Sequence, residues 1–188
     1  MESVHYISSE TLELTTISDI ILEEKTLALS EDSKKRIVNC RTYLDDKLTK
    51  QDKPIYGINT GFGSLYNVEI SKENLTKLQE NLVMSHACGT GERVPEAVVK
   101  LMLLLKIQSL SYGHSGIQLQ TVERLVAMYN ASVLPIVYTQ GSLGASGDLA
   151  PLAHLSLPLI GKGEVTYKGE EMTSEALLKT MNWETITL

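Results

Sequence analysis

The chain has 188 residues, a formal net charge of −6 at pH 7, 43% apolar residues and 21% charged residues. That balance is ordinary for a globular domain and excludes wholesale disorder, and the acidic sign excludes a basic nucleic-acid surface as the main function. Two cysteines, Cys40 and Cys88, are too few for a disulfide framework, while the length is enough for one domain with a real core.

The start, Met1-Glu2-Ser3-Val4-His5-Tyr6, is neither basic nor followed by an apolar region, so no secretory signal is expected. The longest unbroken strongly apolar run, Leu101 to Leu105, is far short of a membrane span. A soluble cytoplasmic protein is therefore expected, with neither a membrane nor nucleic acid as partner.

In chain order, Val4-His5-Tyr6-Ile7 predicts a short strand. Thr16-x-x-Asp19 resembles a capping box and predicts a helix from Ile17 to about Glu24. Thr26 to Leu29 predicts a second strand. Ser30 then caps a polar helix reaching about Thr49, with Glu31 and Asp32 in its first turn and Lys47 and Lys50 near its end, the charge order that a helix dipole favours. The apolar side of that helix is thin (Ile37, Val38, Leu44, Leu48), which places it on the surface.

All 13 glycines lie at or after Gly57. Gly57, Gly61 and Gly63 make residues 54–68 an irregular loop. Ser71 starts a helix with Leu75, Leu78 and Leu82 on one face, ending near Gly89. Pro95 opens another. Val98, Val99, Leu101 to Leu105, Ile107 and Leu110 make it apolar nearly all round, which marks it as central. Gly113 and Gly116 follow, and Leu119, Val122, Leu125, Val126 and Tyr129 predict a further helix running up to Pro135.

From Ala131 to Gly161, 31 residues carry one formal charge, Asp148, so the segment is expected to be buried or to line a pocket. Gly141, Gly144 and Gly147 make its middle turn-rich. Leu149 to Ile160 predicts a buried helix that tolerates Pro151 in its first turn and bends or ends at Pro158. Glu164 to Gly169 predicts a hairpin arm, and Ser174 to Thr180 a closing helix. The fold class expected is mainly α with short β segments.

Phosphate and dinucleotide loops fail on inspection. No Gly-x-x-x-x-Gly-Lys-Ser/Thr string is present, and Gly61-Phe62-Gly63 is followed by Ser64-Leu65-Tyr66 rather than by a third spaced glycine. The hydrolase elbow fails because Asp148 stands where its last glycine belongs. His86-x-Cys88 is the closest pair of metal ligands and has no matching second pair. Neither a metal nor a nucleotide is expected.

Gly144-Ala145-Ser146-Gly147-Asp148 has a rarer option. If the turn brings the backbone nitrogen of Gly147 onto the carbonyl carbon of Ala145, a ring can close. Loss of water from the ring and from Ser146 then leaves an exocyclic methylene, a carbon electrophile. Glycine keeps the attacking nitrogen unhindered and tolerates strained dihedrals, serine supplies the departing hydroxyl, and alanine adds no bulk. Asp148 is the nearby ionised group that can help move protons. A helix starting just after it directs its positive end at the ring. By itself, Ala-Ser-Gly describes only a turn.

The wider string, Gly141-Ser142-Leu143-Gly144-Ala145-Ser146-Gly147-Asp148-Leu149-Ala150-Pro151-Leu152-Ala153-His154, resembles the signature of the aromatic amino-acid ammonia-lyases and aminomutases. A second block, Tyr56-Gly57-Ile58-Asn59-Thr60-Gly61-Phe62-Gly63, and a third, Leu82-Val83-Met84-Ser85-His86-Ala87-Cys88-Gly89, stand in the family's order. The third is most similar to the histidine-specific members.

The resemblance implies that Ala145, Ser146 and Gly147 form the family's 4-methylidene-imidazol-5-one group, supported by Asp148. It implies that Tyr56 removes the substrate β-proton, that Gly63 allows close approach of substrate, and that His86 contacts the substrate side chain, where it suits a polar ring. The reaction implied is non-oxidative elimination of ammonia from L-histidine to trans-urocanate. Tyrosine or phenylalanine as substrate, aminomutase chemistry, and a non-catalytic fragment or assembly module are the alternatives. His114 and His154 receive no role, their ordinary place being a structural one.

The family's chains are much longer than 188 residues. Later residues, including an asparagine in a Leu-Asn-Gly type block, contribute to their site, and long helices form the core of a homotetramer. Residues 1–188 are accordingly expected to be the N-terminal domain of such an enzyme, without the long central helical bundle. Alone, the chain is expected to be inactive or nearly so and to self-associate through exposed apolar surface.

Overall fold

A computed structural model of the chain describes residues 3–50, 55–60, 66, 70 and 74–187. The helix that buries the most apolar side chains lies at its centre. This helix, α4 (Glu96–Ser111, after the short elements β1 to β3 and α1 to α3 placed below), buries Val99, Leu103, Leu104, Ile107 and Leu110. Gln108 and Ser111 are buried beside them. Ser111 donates to its own helix at the Ile107 carbonyl (2.7 Å), and the Gln108 amide reaches the Ser8 carbonyl (2.9 Å), so neither polar group is stranded. Val98 and Leu105 remain 45% and 44% exposed on the outer side.

Helix α5 (Leu119–Asn130) packs along α4 and buries Val122, Leu125, Met128 and Tyr129, the face that its spacing predicts. Strands β1 (Val4–Ile7) and β2 (Thr26–Leu29) pair in parallel from Val4↔Thr26 to Ile7↔Leu29. They are joined through α1 (Leu14–Leu22). That helix starts three residues before the predicted Ile17. Glu13, in extended backbone, already supplies the carbonyl that accepts the Ile17 N–H (3.0 Å), so Thr16 falls inside the first turn instead of capping it.

A two-stranded sheet leaves an unpaired edge, and here Asn130 at the end of α5 covers part of it. Its side-chain oxygen accepts the Leu27 N–H (2.7 Å) and its NH2 donates to the Leu27 carbonyl (2.9 Å), as a neighbouring strand would. Replacing Asn130 by alanine leaves a part-buried N–H and C=O without these partners and is expected to cost about 1–3 kcal/mol. A shift in the urea midpoint at unchanged slope checks this.

The helix predicted after Ser30 is α2 (Glu31–Lys50). The Ser30 hydroxyl accepts the Ser33 N–H (3.2 Å), and the Ser33 hydroxyl ties the helix to the Ile7 carbonyl (3.1 Å). Of its residues only Ser33 and Ile37 are buried. Its outer face carries Lys34–Glu31, Arg36–Asp32, Arg41–Asp45 and Lys50–Asp46 pairs, exposed and therefore weak. Helix α3 (Leu75–His86) follows; none of its residues is buried.

Three β features escape the sequence pattern. Strand β3 (Thr90–Arg93) pairs with β5 (Tyr138–Gln140) antiparallel, Thr90↔Gln140 and Arg93↔Tyr138, although every β3 residue is exposed. Strand β4 (Leu134–Pro135) is the edge of a three-stranded sheet, ordered β4–β6–β7. An edge position tolerates Pro135, which the sequence marks only as a helix stop. The predicted hairpin is β6 (Glu164–Tyr167) and β7 (Glu170–Thr173), turning at Lys168 and Gly169.

The charge-poor segment splits in two. Val133 to Val137, the residues Ala150, Ala153 and Leu155 of α6 (Leu149–Ser156), and the following 3₁₀ turn Leu157–Ile160 are buried. Between them residues 139–145 and 147–149 are exposed, with Leu143 at 72% and Leu149 at 48%. The predicted helix over 149–160 therefore becomes an α-helix that tightens to 3₁₀ where Pro158 cannot donate. Helix α7 (Ser174–Met181) closes the fold, with the Thr173 hydroxyl accepting the Ala176 N–H (3.3 Å). Among the described residues, no helix is long and apolar enough to cross a membrane.

Candidate active site

The Ala-Ser-Gly tripeptide forms a tight turn. Gly144–Ser146 is one turn of 3₁₀ helix, closed by the Gly147 N–H donating to the Gly144 carbonyl (3.2 Å). The Ser142 hydroxyl donates to the Gly147 carbonyl (2.7 Å) and braces the turn from the other side. Gly147 adopts φ 79° and ψ −155°, a region essentially reserved for glycine. A Cβ at Gly144 or Gly147 meets no atom within 4 Å, so the turn is uncrowded.

Asp148 is the N-cap residue of α6, but its carboxylate makes no capping hydrogen bond to the helix. It lies exposed between the turn and the positive end of α6. The charge-poor sequence around it thus places one carboxylate beside the tripeptide.

His86 ends α3 and is half-buried. Its Nδ1 is 2.8 Å from the Leu82 carbonyl, which also accepts the Ser85 hydroxyl (3.0 Å). A carbonyl can only accept, so Nδ1 carries the proton, a tautomer assigned from its partner. Neutral His86 therefore keeps Nε2 as an acceptor.

Directly after α3 the chain meets α6. The Gly89 N–H donates to His154 Nε2 (2.9 Å), and the Tyr138 ring stands edge-on to the His154 ring with centroids 5.2 Å apart. The approach is close enough that a Cβ at Gly89 would sit 2.9 Å from that nitrogen, and one at Gly141 would sit 2.9 Å from the Gly89 Cα. Sequence reasoning gives His154 no role. The available signal was its place inside the Gly141–His154 block, opposite another block that ends in glycine.

Tyr56 sits in the turn 55–60, where the Asn59 side chain accepts the Ile55 N–H (2.6 Å) and the Ile55 carbonyl accepts the Ile58 and Asn59 N–H groups (3.0 and 3.2 Å). Asn59 and Thr60 are buried and anchor the turn, while Tyr56 is 64% exposed. Gly57 and Ile58 face a cavity of about 330 Å³ with Leu44 on α2, Leu75 and Gln79 on α3, and Thr121 on α5. This packing lies toward the start of α3, whereas Gly89 and the strands that lead to the tripeptide lie beyond its end. The other residue expected at the substrate, Gly63, lies outside the described residues.

The chain is mainly helical and presents an uncrowded Ala-Ser-Gly turn at the head of a helix that is hydrogen-bonded to Gly89, just beyond a second helix ending in histidine. The family model described as aromatic amino acid lyase matches residues 12–188, and the chain belongs to that family. It is 48% identical over 168 residues to a histidine ammonia-lyase of Legionella pneumophila, covering 89% of this chain and 33% of that protein. Among solved structures it is similar to histidine ammonia-lyase from Trypanosoma cruzi (TM-score 0.86, 32% identity, 99% of this chain and 36% of that one). It is also similar to tyrosine aminomutase from Streptomyces globisporus (TM-score 0.89, 29% identity, 100% of this chain and 35% of that one). The chain spans about a third of the length of the relatives it matches.

Proposed function

We propose that this chain is the N-terminal domain of an enzyme that eliminates ammonia from L-histidine to give trans-urocanate. The observation that carries the proposal is the Gly144–Ser146 turn with Gly147 at φ 79°, uncrowded and followed at once by Asp148 and the head of α6. Its residue types and backbone fit the family's prosthetic group. Ala145, Ser146 and Gly147 would hold 4-methylidene-imidazol-5-one, which when formed supplies a carbon electrophile that draws electrons from the substrate as ammonia leaves.

The remaining chemistry belongs to side chains. Tyr56 takes the β-proton; the C–N bond breaks, a C=C bond forms, and the amine departs with its bonding pair. To take that proton the phenol must act from its phenolate oxygen, so the role requires a site that favours phenolate. Asp148 moves a proton during ring closure. Gly63 leaves space beside the substrate. Nε2 of His86 accepts the ring N–H of the substrate, because Nδ1 is committed to the Leu82 carbonyl. The same acceptor takes a phenol O–H, which makes tyrosine the second substrate to test and aminomutase chemistry the second reaction.

In this reading the complete enzyme is a cytoplasmic homotetramer. The exposed Val98 and Leu105 on the outer side of α4 support an assembly contact. The test is ultraviolet detection of urocanate from L-histidine, run beside L-tyrosine and L-phenylalanine, with a protein carrying this chain and the region corresponding to the rest of its relatives. Histidine is expected to be the preferred substrate. Replacing His86 by phenylalanine removes an acceptor that a buried N–H needs and is expected to lower kcat/KM for histidine about ten- to a hundredfold. Preference for phenylalanine in the unaltered protein would contradict the substrate assignment.

A further inference from the structure

We propose that His154 is a positioning residue of this site: its neutral imidazole accepts the Gly89 N–H and so holds the end of α3, with His86, against the helix that begins at the Ala-Ser-Gly turn. The catalytic meaning of this clamp rests on the lyase reading above; the clamp itself does not.

The geometry is that of one side chain joining three elements. Gly89 lies three residues beyond His86, and His154 lies six beyond Asp148 on α6. The 2.9 Å hydrogen bond between them spans 65 residues of sequence. Tyr138 on β5 adds an edge-on ring contact at 5.2 Å, and Gly141, which leads from β5 toward the tripeptide, packs on Gly89. Helices α3 and α6 meet here without a single buried side chain on α3. Apolar burial therefore does little to fix their relation, and a directional polar bond contributes correspondingly more.

The bond also dictates a protonation state. Nε2 accepts, so it bears no proton and the neutral ring carries its proton on Nδ1. Adding a second proton would set an N–H against the Gly89 N–H. Burial pushes the His154 imidazole below its ordinary value of 6.5, which keeps it neutral at physiological pH. The titratable groups on the elements packed around it are Lys77, Glu80 and His86 on α3, Cys88 just after it, Tyr138 on β5, and Asp148 at the head of its own helix. Because the folded value lies below the unfolded one, the unfolded chain binds the extra proton first. The stabilisation is complete above about pH 6.5, falls as pH drops through the folded value, and changes no further below it.

The test combines nitrogen NMR of the imidazoles with two variants in the protein as it exists. His154 is expected as the Nδ1–H tautomer at pH 7.5, titrating below the ordinary histidine range, with the Gly89 amide signal following the same titration. His154→Leu is expected to lose protection of the Gly89 amide and to lower the fraction of chains lacking two waters at residues 145–147 several-fold. His154→Gln restores an acceptor and is expected to recover both, without the pH response of the histidine. A proton on Nε2 at neutral pH, a Gly89 amide indifferent to the titration, or equal water loss in His154→Leu and the unaltered protein would each overturn the proposal. If the leucine variant does not fold, the tautomer and the Gly89 coupling in the unaltered protein decide it. Absence of water loss from the unaltered protein would sink the lyase reading, and the NMR readouts would still decide the clamp.

Discussion

Ser146→Ala is expected to leave the chain folded and to abolish the electrophile. The turn is held by backbone and flanking groups, the Gly147 N–H on the Gly144 carbonyl and the Ser142 hydroxyl on the Gly147 carbonyl. Alanine at 146 is compatible with all of these. It has no hydroxyl to lose, however, so the exocyclic methylene cannot form even if the backbone ring closes. The mass of the variant should show no stable loss of two waters. Turnover by the complete enzyme should fall on the order of 10³-fold or more, as when a covalent catalytic group is removed elsewhere. Retained turnover in this variant would mean that ammonia leaves by a route that does not involve the tripeptide.

Tyr56→Phe is expected to separate formation of the electrophile from its use. The substitution removes one oxygen from a residue that is 64% exposed, so the effect on folding should be small. Ring closure involves the turn at 144–147 and the adjacent Asp148, which lie away from the packing that places residues 55–60. The two-water loss should therefore be intact. Elimination should be slower by about 10²–10⁴, the usual contribution of a positioned base. A variant that keeps both its mass loss and near-normal turnover would refute the role given to Tyr56. Taken together, the two variants distinguish a site without an electrophile from a site without a base.

The helices were legible where one face or all faces carry a repeating apolar pattern. The all-round apolar residues from Val98 to Leu110 predicted a central helix, and α4 is one. The spacing of Leu119, Val122, Leu125 and Tyr129 predicted α5, and alternation with a Lys-Gly turn predicted the β6–β7 hairpin. Strand β3 was not legible, because Thr90-Gly91-Glu92-Arg93 is exposed throughout and has no inward face to leave a period of two. β4 was hidden by Pro135, whose meaning depends on whether its strand lies at an edge.

The site divides in the same way. Contiguous blocks carried the expectations for the tripeptide and Asp148, from their own chemistry, and for Tyr56 and His86, from the family resemblance of those blocks. The pairing of Gly89 with His154 was not legible, since no spacing rule links positions 65 residues apart and a histidine on a short helix reads as structural. The low charge of residues 131–161 signalled an unusual environment but not its division into two buried arms and an exposed loop. Composition cannot express that split, because polar uncharged and small residues serve equally in a core and in an exposed turn.

The central claim is that Ala145, Ser146 and Gly147 become an electrophile. Intact mass of the purified protein, followed by mapping of the peptide that contains residues 144–148, tests it most directly. The expected mass is lower than the sequence mass by two waters, localised to that peptide. An unmodified mass for that peptide in an enzyme that releases ammonia from histidine would contradict it.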